Sequence, residues 1–226
     1  MTCNNCDSTS IVDIALDVEN VVVCKDCGYG RPSLREPMQY EDSYEAKYLA
    51  YPEKDICAIR LRVLRILDSG LATRRQKLLD YGCGSGAFVR AARAAGYDAY
   101  GFDVNDFTAD LRPPEGFTPD IITAWDAFEH LTDEQQKIFF QCANTANTIA
   151  VSVPDFFTPT KDETLKKWRH YRPREHLHYY TLTALCTRFE REGYSFGFSS
   201  HAEDAVRKAP WKNNILTVGF VKKAAK

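Results

Sequence analysis

Gln76-Lys77-Leu78-Leu79-Asp80-Tyr81-Gly82-Cys83-Gly84-Ser85-Gly86 is the stretch that decides the fold. A short apolar strand ends in an acid and runs into a turn of alternating glycines. Ala87-Phe88-Val89-Arg90-Ala91-Ala92-Arg93-Ala94-Ala95 then reads as a helix stopped by Gly96, and Ala99-Tyr100-Gly101-Phe102 as a second strand ending at Asp103. This is a strand-turn-helix-strand unit of a doubly wound α/β sheet, whose glycines let the backbone approach a ligand closely. Asp103 lies about twenty residues beyond Asp80, near the place where such folds set an acid on ribose hydroxyls. Gly82-x-Gly84-x-x-Ala87 also satisfies the loose dinucleotide pattern. Asp80 argues against a dinucleotide: a negative charge just ahead of the glycines suits a cationic ammonium and sulfonium better than a diphosphate. The chain also lacks a second half resembling a dehydrogenase domain.

Working outward, Asp120 to Ala124 reads as the fourth strand, with Trp125 and Asp126 at its C-terminal end, where such sheets bind ligands. Glu129 and His130 start or precede a helix running through Phe140. Thr148 to Val153 is a fifth strand and Thr183 to Glu192 a further helix. Ser195–Phe198 and Ile215–Val221 are final strands, completing in outline a mostly parallel sheet of seven. Upstream, Ile56, Ile59, Leu61, Val63, Leu64, Ile66 and Leu67 mark a helix that ends near Gly70 and covers one face of the sheet. Tyr40, Tyr44, Tyr48 and Tyr51 recur at helical spacing, which fits either packing on the main domain or a lid over the cofactor cleft. The expected division is residues 1–30, a 31–70 linker and helical cap, and a main domain over 71–226.

The first part is set by its cysteines. Cys3-x-x-Cys6 and Cys24-x-x-Cys27 have the spacing of a four-cysteine zinc site, with two short strands, Ile11–Leu16 and Val21–Val23, between the pairs. Thirty residues cannot bury a core, so metal must hold such a ribbon together. With four cysteine ligands no position is open to substrate, and the expected Zn2+ is structural. Up to Gly30 the ribbon carries Asp7, Asp13, Asp17, Glu19 and Asp26 against Lys25 alone, a charge that repels phosphates. Its role is then substrate covering or protein contact.

Leu78-Leu79-Asp80-Tyr81-Gly82-Cys83-Gly84-Ser85-Gly86, Gly101-Phe102-Asp103-Val104, Asp120-Ile121-Ile122 and Asp126-Ala127-Phe128-Glu129-His130-Leu131, in that order, resemble the class I S-adenosylmethionine-dependent methyltransferases. Glu175-His176-Leu177-His178-Tyr179-Tyr180-Thr181 is similar to a segment in one branch of them, which includes ubiquinone-pathway and sugar-modifying enzymes. The Cys-rich head is similar to sugar C-methyltransferases with a zinc-binding front end. The resemblance implies a Rossmann-like fold and S-adenosylmethionine as cofactor. It implies that Gly82, Gly84 and Gly86 line the methionine and ribose, that Asp80 holds the amino group through water, and that Asp103 grips the ribose. Val104 then packs on adenine, followed by Asn105. One departure is that Asn105 to Pro119 is short and rich in proline, where the family has a helix and a third strand; Asp110 is the candidate there for the adenine contact.

Lys161, Lys166, Lys167, Arg169, Arg172 and Arg174 follow the fifth strand, interleaved with Trp168, Tyr171, Tyr179 and Tyr180. This fits either a site docking a phosphate and stacking a base or sugar, or a solvated loop. If the acceptor atom needs deprotonation, His176 is the first candidate base and His130 the second; a structural hydrogen bond is the competing reading for each. The expected acceptor is a small molecule (a sugar, nucleotide or related metabolite), phosphate-bearing acceptors included. The alternatives are a nucleic-acid methyltransferase and a non-catalytic scaffold whose ribbon recruits a partner. A net charge of -2 gives nucleic acid no electrostatic support. No apolar run reaches the roughly 20 residues of a membrane span, and no basic-then-apolar leader opens the chain, so cytoplasmic residence with reduced thiols is expected.

Overall fold

The computed structural model describes residues 1–33, 53–67, 75–104, 110–157, 162–207 and 214–224. Ile11–Ala15 (β1), Asn20–Cys24 (β2) and Gly30–Pro32 (β3) form a three-stranded antiparallel sheet in the order β1-β2-β3. The first two strands fall on the runs Ile11–Leu16 and Val21–Val23 read from the sequence. β3 falls where a linker is expected, since its three residues include both a glycine and a proline. The tyrosine face at 40–51, Gly70 and Asn105 lie outside the described residues.

The main sheet has six strands among the described residues: β4 (Lys77–Tyr81), β5 (Asp98–Phe102), β6 (Ile121–Trp125), β7 (Thr148–Pro154), β8 (Tyr194–Ser200) and β9 (Ile215–Lys222). Their order is β5-β4-β6-β7-β9-β8, parallel from β5 to β7, with β9 antiparallel to both of its neighbours. The expected count of seven is therefore not reached among these residues. The described part of the short interval, 110–120, holds a 3-10 turn and three prolines, and a proline cannot donate to a sheet ladder. β6 and β7 are buried along their whole length, as central parallel strands are.

Helices cover both faces. Glu53–Leu67 (α1) and Ala87–Ala94 (α2) bury Cys57, Val63, Leu64, Phe88, Val89 and Ala92 against Leu78, Ile121 and Trp125. Asp133–Ala143 (α3) and Leu182–Arg191 (α5) bury Phe139, Phe140, Leu185 and Phe189 on the opposite face, where Phe189 stacks on Phe220 at 4.2 Å. Glu129 and His130 precede α3, because Thr132 caps it: its hydroxyl accepts from the Gln135 amide, and the Gln135 side chain accepts from the Thr132 amide. Two short helices, Asp162–Lys166 (α4) and Asp204–Arg207 (α6), complete the described chain. None of the described helices is long and apolar enough to cross a membrane.

The small sheet is seated on the large domain. Gly30 and Tyr179 exchange backbone hydrogen bonds, both 2.9 Å, and Thr181 Oγ1 donates to the Cys27 carbonyl at 2.8 Å. Ile14, Val21 and Val23 share one apolar cluster with Phe156, Leu165 and Tyr179. The approach at Gly30 is close enough that a Cβ there would sit 2.6 Å from the Phe156 ring. The Glu175–Thr181 stretch is thus the strip on which the head docks.

Candidate functional site

The chain passes from β4 to β5 on one side and returns to β6 on the other, so β4 and β6 flank the switch point at the carboxyl end of the sheet. Open α/β sheets bind ligands in that crevice. Asp80, Tyr81, Phe102, Asp103, Trp125 and Asp126 end the three strands around it. Gly82, Gly84 and Gly86 all take positive φ, 77°, 50° and 74°. At Gly82 a Cβ would also lie 2.5 Å from the Ala127 methyl, so the turn can run against the loop after β6 only as glycine. The Gly84 amide donates to Asp103 Oδ2 at 2.8 Å, tying the turn to the acid that ends β5.

Asp80 is buried and sits across from Thr123, whose hydroxyl donates to Asp80 Oδ1 at 2.6 Å. Burial pushes its carboxyl up to about 7, against the pull of Thr123 and of Arg60. Asp126 has a left-handed backbone (φ 51°), and its carboxylate is held by two cations. Arg60 Nη2 donates to Asp126 Oδ2 at 2.8 Å, and Arg207 donates to the same oxygen. Both arginines also bind Glu203, which is fully buried: Arg60 Nε at 3.0 Å from Oε1 and Arg207 Nη2 at 2.5 Å from Oε2. Burial alone would raise Asp126, but Arg207 and Arg60 outweigh it and hold the carboxyl at about 2. Arg60 also lies over the Trp125 ring, 5.0 Å from its centroid. Trp125 is buried and its Nε1 has no hydrogen-bond partner among the described residues, whereas Val104 is exposed.

Sequence reading missed Arg60, Thr123, Glu203 and Arg207. Two of them left a signal. Arg60 interrupts the buried stripe Ile56, Cys57, Val63, Leu64 of α1, and Thr123 interrupts the apolar run of β6. Glu203 and Arg207 left only a local i,i+4 pair, because Arg60 and Asp126, which complete the cluster, come from distant segments.

His130 and His176 come together, with ring centroids 4.7 Å apart. His130 Nδ1 is 2.7 Å from the Glu175 carbonyl and His176 Nδ1 is 2.8 Å from the His170 carbonyl. Burial lowers both imidazoles, His176 well below the usual range, so both are neutral at pH 7. Glu129 is buried beside them, and burial followed by the Asp126 charge raises its carboxyl well above the usual range. His178 lies elsewhere: its Nδ1 is 2.5 Å from the Tyr29 hydroxyl and its Nε2 2.8 Å from the Leu131 carbonyl, a bridge between head and main domain. Trp168, Tyr179 and Phe156 pack on one another beneath the head, and Tyr180 is buried, so these rings serve the seam rather than a ligand. Of the basic residues in the same stretch, Lys166 pairs with Asp17 at 3.0 Å and Arg172 with Glu175 at 2.8 Å. Lys161 lies outside the described residues.

The four head cysteines converge, each Sγ within 4.8 Å of the others. Cys3 and Cys27 are 3.8 Å apart and Cys6 and Cys24 3.5 Å. A tetrahedral ion with metal–sulfur bonds of about 2.3 Å needs sulfur–sulfur edges of about 3.8 Å. The donor set therefore fits a structural zinc ion. Each pair sits in a matching turn, Asp7 N to Cys3 O at 2.9 Å and Gly28 N to Cys24 O at 3.0 Å. Burial raises Cys3 to about 11; at Cys24 it is outweighed by the Cys27 and Asp26 amides and the neighbouring thiols, which bring that thiol down to about 7.

A search of curated proteins returns no match to the chain. Solved structures share its fold at low identity. Magnesium protoporphyrin IX methyltransferase from Synechocystis PCC 6803, with bound SAH, is 15% identical with a TM-score of 0.52, over 82% of this chain and 90% of that one. A SAM-dependent methyltransferase from Archaeoglobus fulgidus is 15% identical with a TM-score of 0.54, over 81% and 100%. The 1,6-didemethyltoxoflavin-N1-methyltransferase of Burkholderia thailandensis, with its substrate and S-adenosylhomocysteine, is 13% identical with a TM-score of 0.53, over 88% and 98%. The methyltransferase-domain family matches residues 48–196. That span exceeds half the sequence, so the chain belongs to the methyltransferase-domain family and is an enzyme on the S-adenosylmethionine-dependent methyltransferase fold.

Proposed function

We propose that the chain transfers a methyl group from S-adenosylmethionine to a small molecule, a sugar, nucleotide or related metabolite, by direct displacement, and that its head is a structural zinc ribbon. One observation carries the cofactor reading: two acids flank a turn of left-handed glycines at the switch point, and the turn itself donates to one of them. When bound, the cofactor supplies a methyl already activated by its sulfonium. The glycines allow close approach, Asp103 takes the ribose hydroxyls, and Asp80 faces the cationic amino group. Val104 lies against adenine, and Trp125 and Asp126 close the other wall. Such alignment can supply up to roughly 7–11 kcal/mol. His176, then His130, are the imidazoles that would take a proton from an acidic acceptor, and both stay neutral for that role. The division into 1–30, 31–70 and 71–226 assigns the head a stabilising and covering task and the rest the chemistry.

Asp103→Ala is expected to weaken cofactor binding about ten-fold or more, since a hydrogen bond to a charged group is worth about 1.5–3 kcal/mol. Calorimetry showing equal affinity would remove Asp103 from the site. Asp80 gives a pH signature. A cation binds its deprotonated form, so affinity should rise with pH through about 7 and fall below it, at most about ten-fold per pH unit. A flat profile from about pH 5.5 to 7.5 would detach Asp80 from the bound charge.

A further inference from the structure

We propose that Glu129, His130 and His176 form a second metal site, holding one divalent first-row transition cation at the acceptor side of the cleft. Their ligand atoms all lie within 4.8 Å of one another. Glu129 Oε1 and His130 Nε2 are 3.7 Å apart. Ligands about 2.1 Å from a tetrahedral ion sit about 3.4 Å apart, so this pair needs to close by only a few tenths of an ångström, and no ligand atom of the three starts more than 4.8 Å from another.

The surroundings prepare these groups for a cation. A carbonyl only accepts, so the Glu175 carbonyl fixes the proton of His130 on Nδ1 and the His170 carbonyl fixes that of His176 on Nδ1. Each ring then keeps its lone pair on Nε2. Metal-ligating imidazoles are oriented by this kind of outer hydrogen bond. The third ligand brings an independent sign. Glu129 is buried, and its Oε2 has no hydrogen-bond partner among the described residues. An unsatisfied buried oxygen is costly, and a cation would satisfy it. Two imidazoles with one carboxylate favour the manganese-to-zinc series over the all-oxygen preference of calcium and magnesium. Three protein ligands leave a position open, as catalytic rather than structural sites do.

The inference deepens the methyl-transfer reading and rests on it for the ligand at the open position. Glu129 and His130 follow the end of β6, beside the crevice, so the ligand there is an oxygen of the acceptor. The substrate class becomes a hydroxyl-bearing metabolite. Ligation to the ion acidifies the hydroxyl, as it does water, and its proton leaves to solvent. The oxygen then forms its bond to the methyl carbon while the carbon–sulfur bond breaks and its electron pair returns to sulfur. In this arrangement His176 and His130 are ligands, not bases.

The test is zinc analysis of the full-length chain, loaded with zinc and desalted, alongside calorimetry with S-adenosylmethionine. Glu129→Gln and His176→Ala should each carry one zinc ion per chain fewer than wild type. Equal zinc in wild type and both variants overturns the proposal. Should both variants fail to fold, wild type decides alone: a single zinc per chain, held by thiolates in its cobalt-substituted absorption spectrum, overturns it, and a second ion on nitrogen and oxygen ligands supports it. The two readings separate in the same samples. Cofactor binding without the second ion sinks only the metal site, and the second ion without cofactor binding sinks only the methyl-transfer reading.

Discussion

Cys27→Ser is expected to lower stability by several kcal/mol and to drop Tm by about 10–20 °C, at about 2–4 °C per kcal/mol for a chain of this size. Structural zinc contributes on the order of 10 kcal/mol to small isolated units. The head is not isolated: Ile14, Val21 and Val23 also pack on Phe156, Leu165 and Tyr179, so part of its order survives metal loss. The damage spreads for the same reason. The Cys27 carbonyl accepts from Thr181, and the next residues deliver Tyr29 to His178 and Gly30 to Tyr179. Losing the turn around Cys27 therefore loosens the strip that continues into His176. Thermal melts with and without a chelator check this. Stripping should lower the Tm of wild type far more than that of the variant, whose remaining response belongs to the Glu129, His130 and His176 site. A variant melting with wild type would mean that packing alone holds the head.

How much of this was legible in the sequence depends on the range of the interaction. The glycine turn, its flanking acids and the strands from β4 to β7 are local patterns, and they appear where their residues place them. The cysteine pairs converge because each knuckle is a local turn and the strands between them form a hairpin. α3 begins at the local capping pattern Thr132-x-x-Gln135, so Glu129 and His130 precede it, one of the two placements the sequence left open. β3 carried no signal, since three residues with glycine and proline become a strand only by pairing with Val21–Val23 and Tyr179. The basic and aromatic stretch was ambiguous for a physical reason. Trp168 and Tyr179 look alike as a stacking platform or as a seam, and only the docked head makes them a seam. The four-charge cluster was invisible because Arg60, Asp126, Glu203 and Arg207 meet only in the folded chain.

That cluster sets the second large effect. Arg60→Met should cost about 3–5 kcal/mol at pH 7, because removing one partner leaves buried charge uncompensated. Methionine retains much of the packing over Trp125, so the loss reports charge more than volume. Glu203 is fully buried and, among the described residues, would keep Arg207 as its one cationic partner. Asp126 makes the effect depend on pH. Its folded value of about 2 lies below the unfolded value near ~3.9, so its contribution is present above the latter and lost as pH falls through the former. Without Arg60 the folded value climbs and the acid loss begins at higher pH. Urea unfolding of wild type and Arg60→Met, from neutral pH down to about pH 3, would show the gap between them narrowing as carboxylates protonate. A gap that stays constant would mean that packing, not charge, carries the loss. The same variant reaches the cofactor side. Arg60 helps keep Asp80 ionised, so its removal should push that carboxyl further up and move the pH dependence of cofactor binding to higher pH. A stability defect and a shifted binding profile from one substitution would tie the buried cluster to the cradle, whereas a stability defect alone would confine it to holding α1 on the sheet.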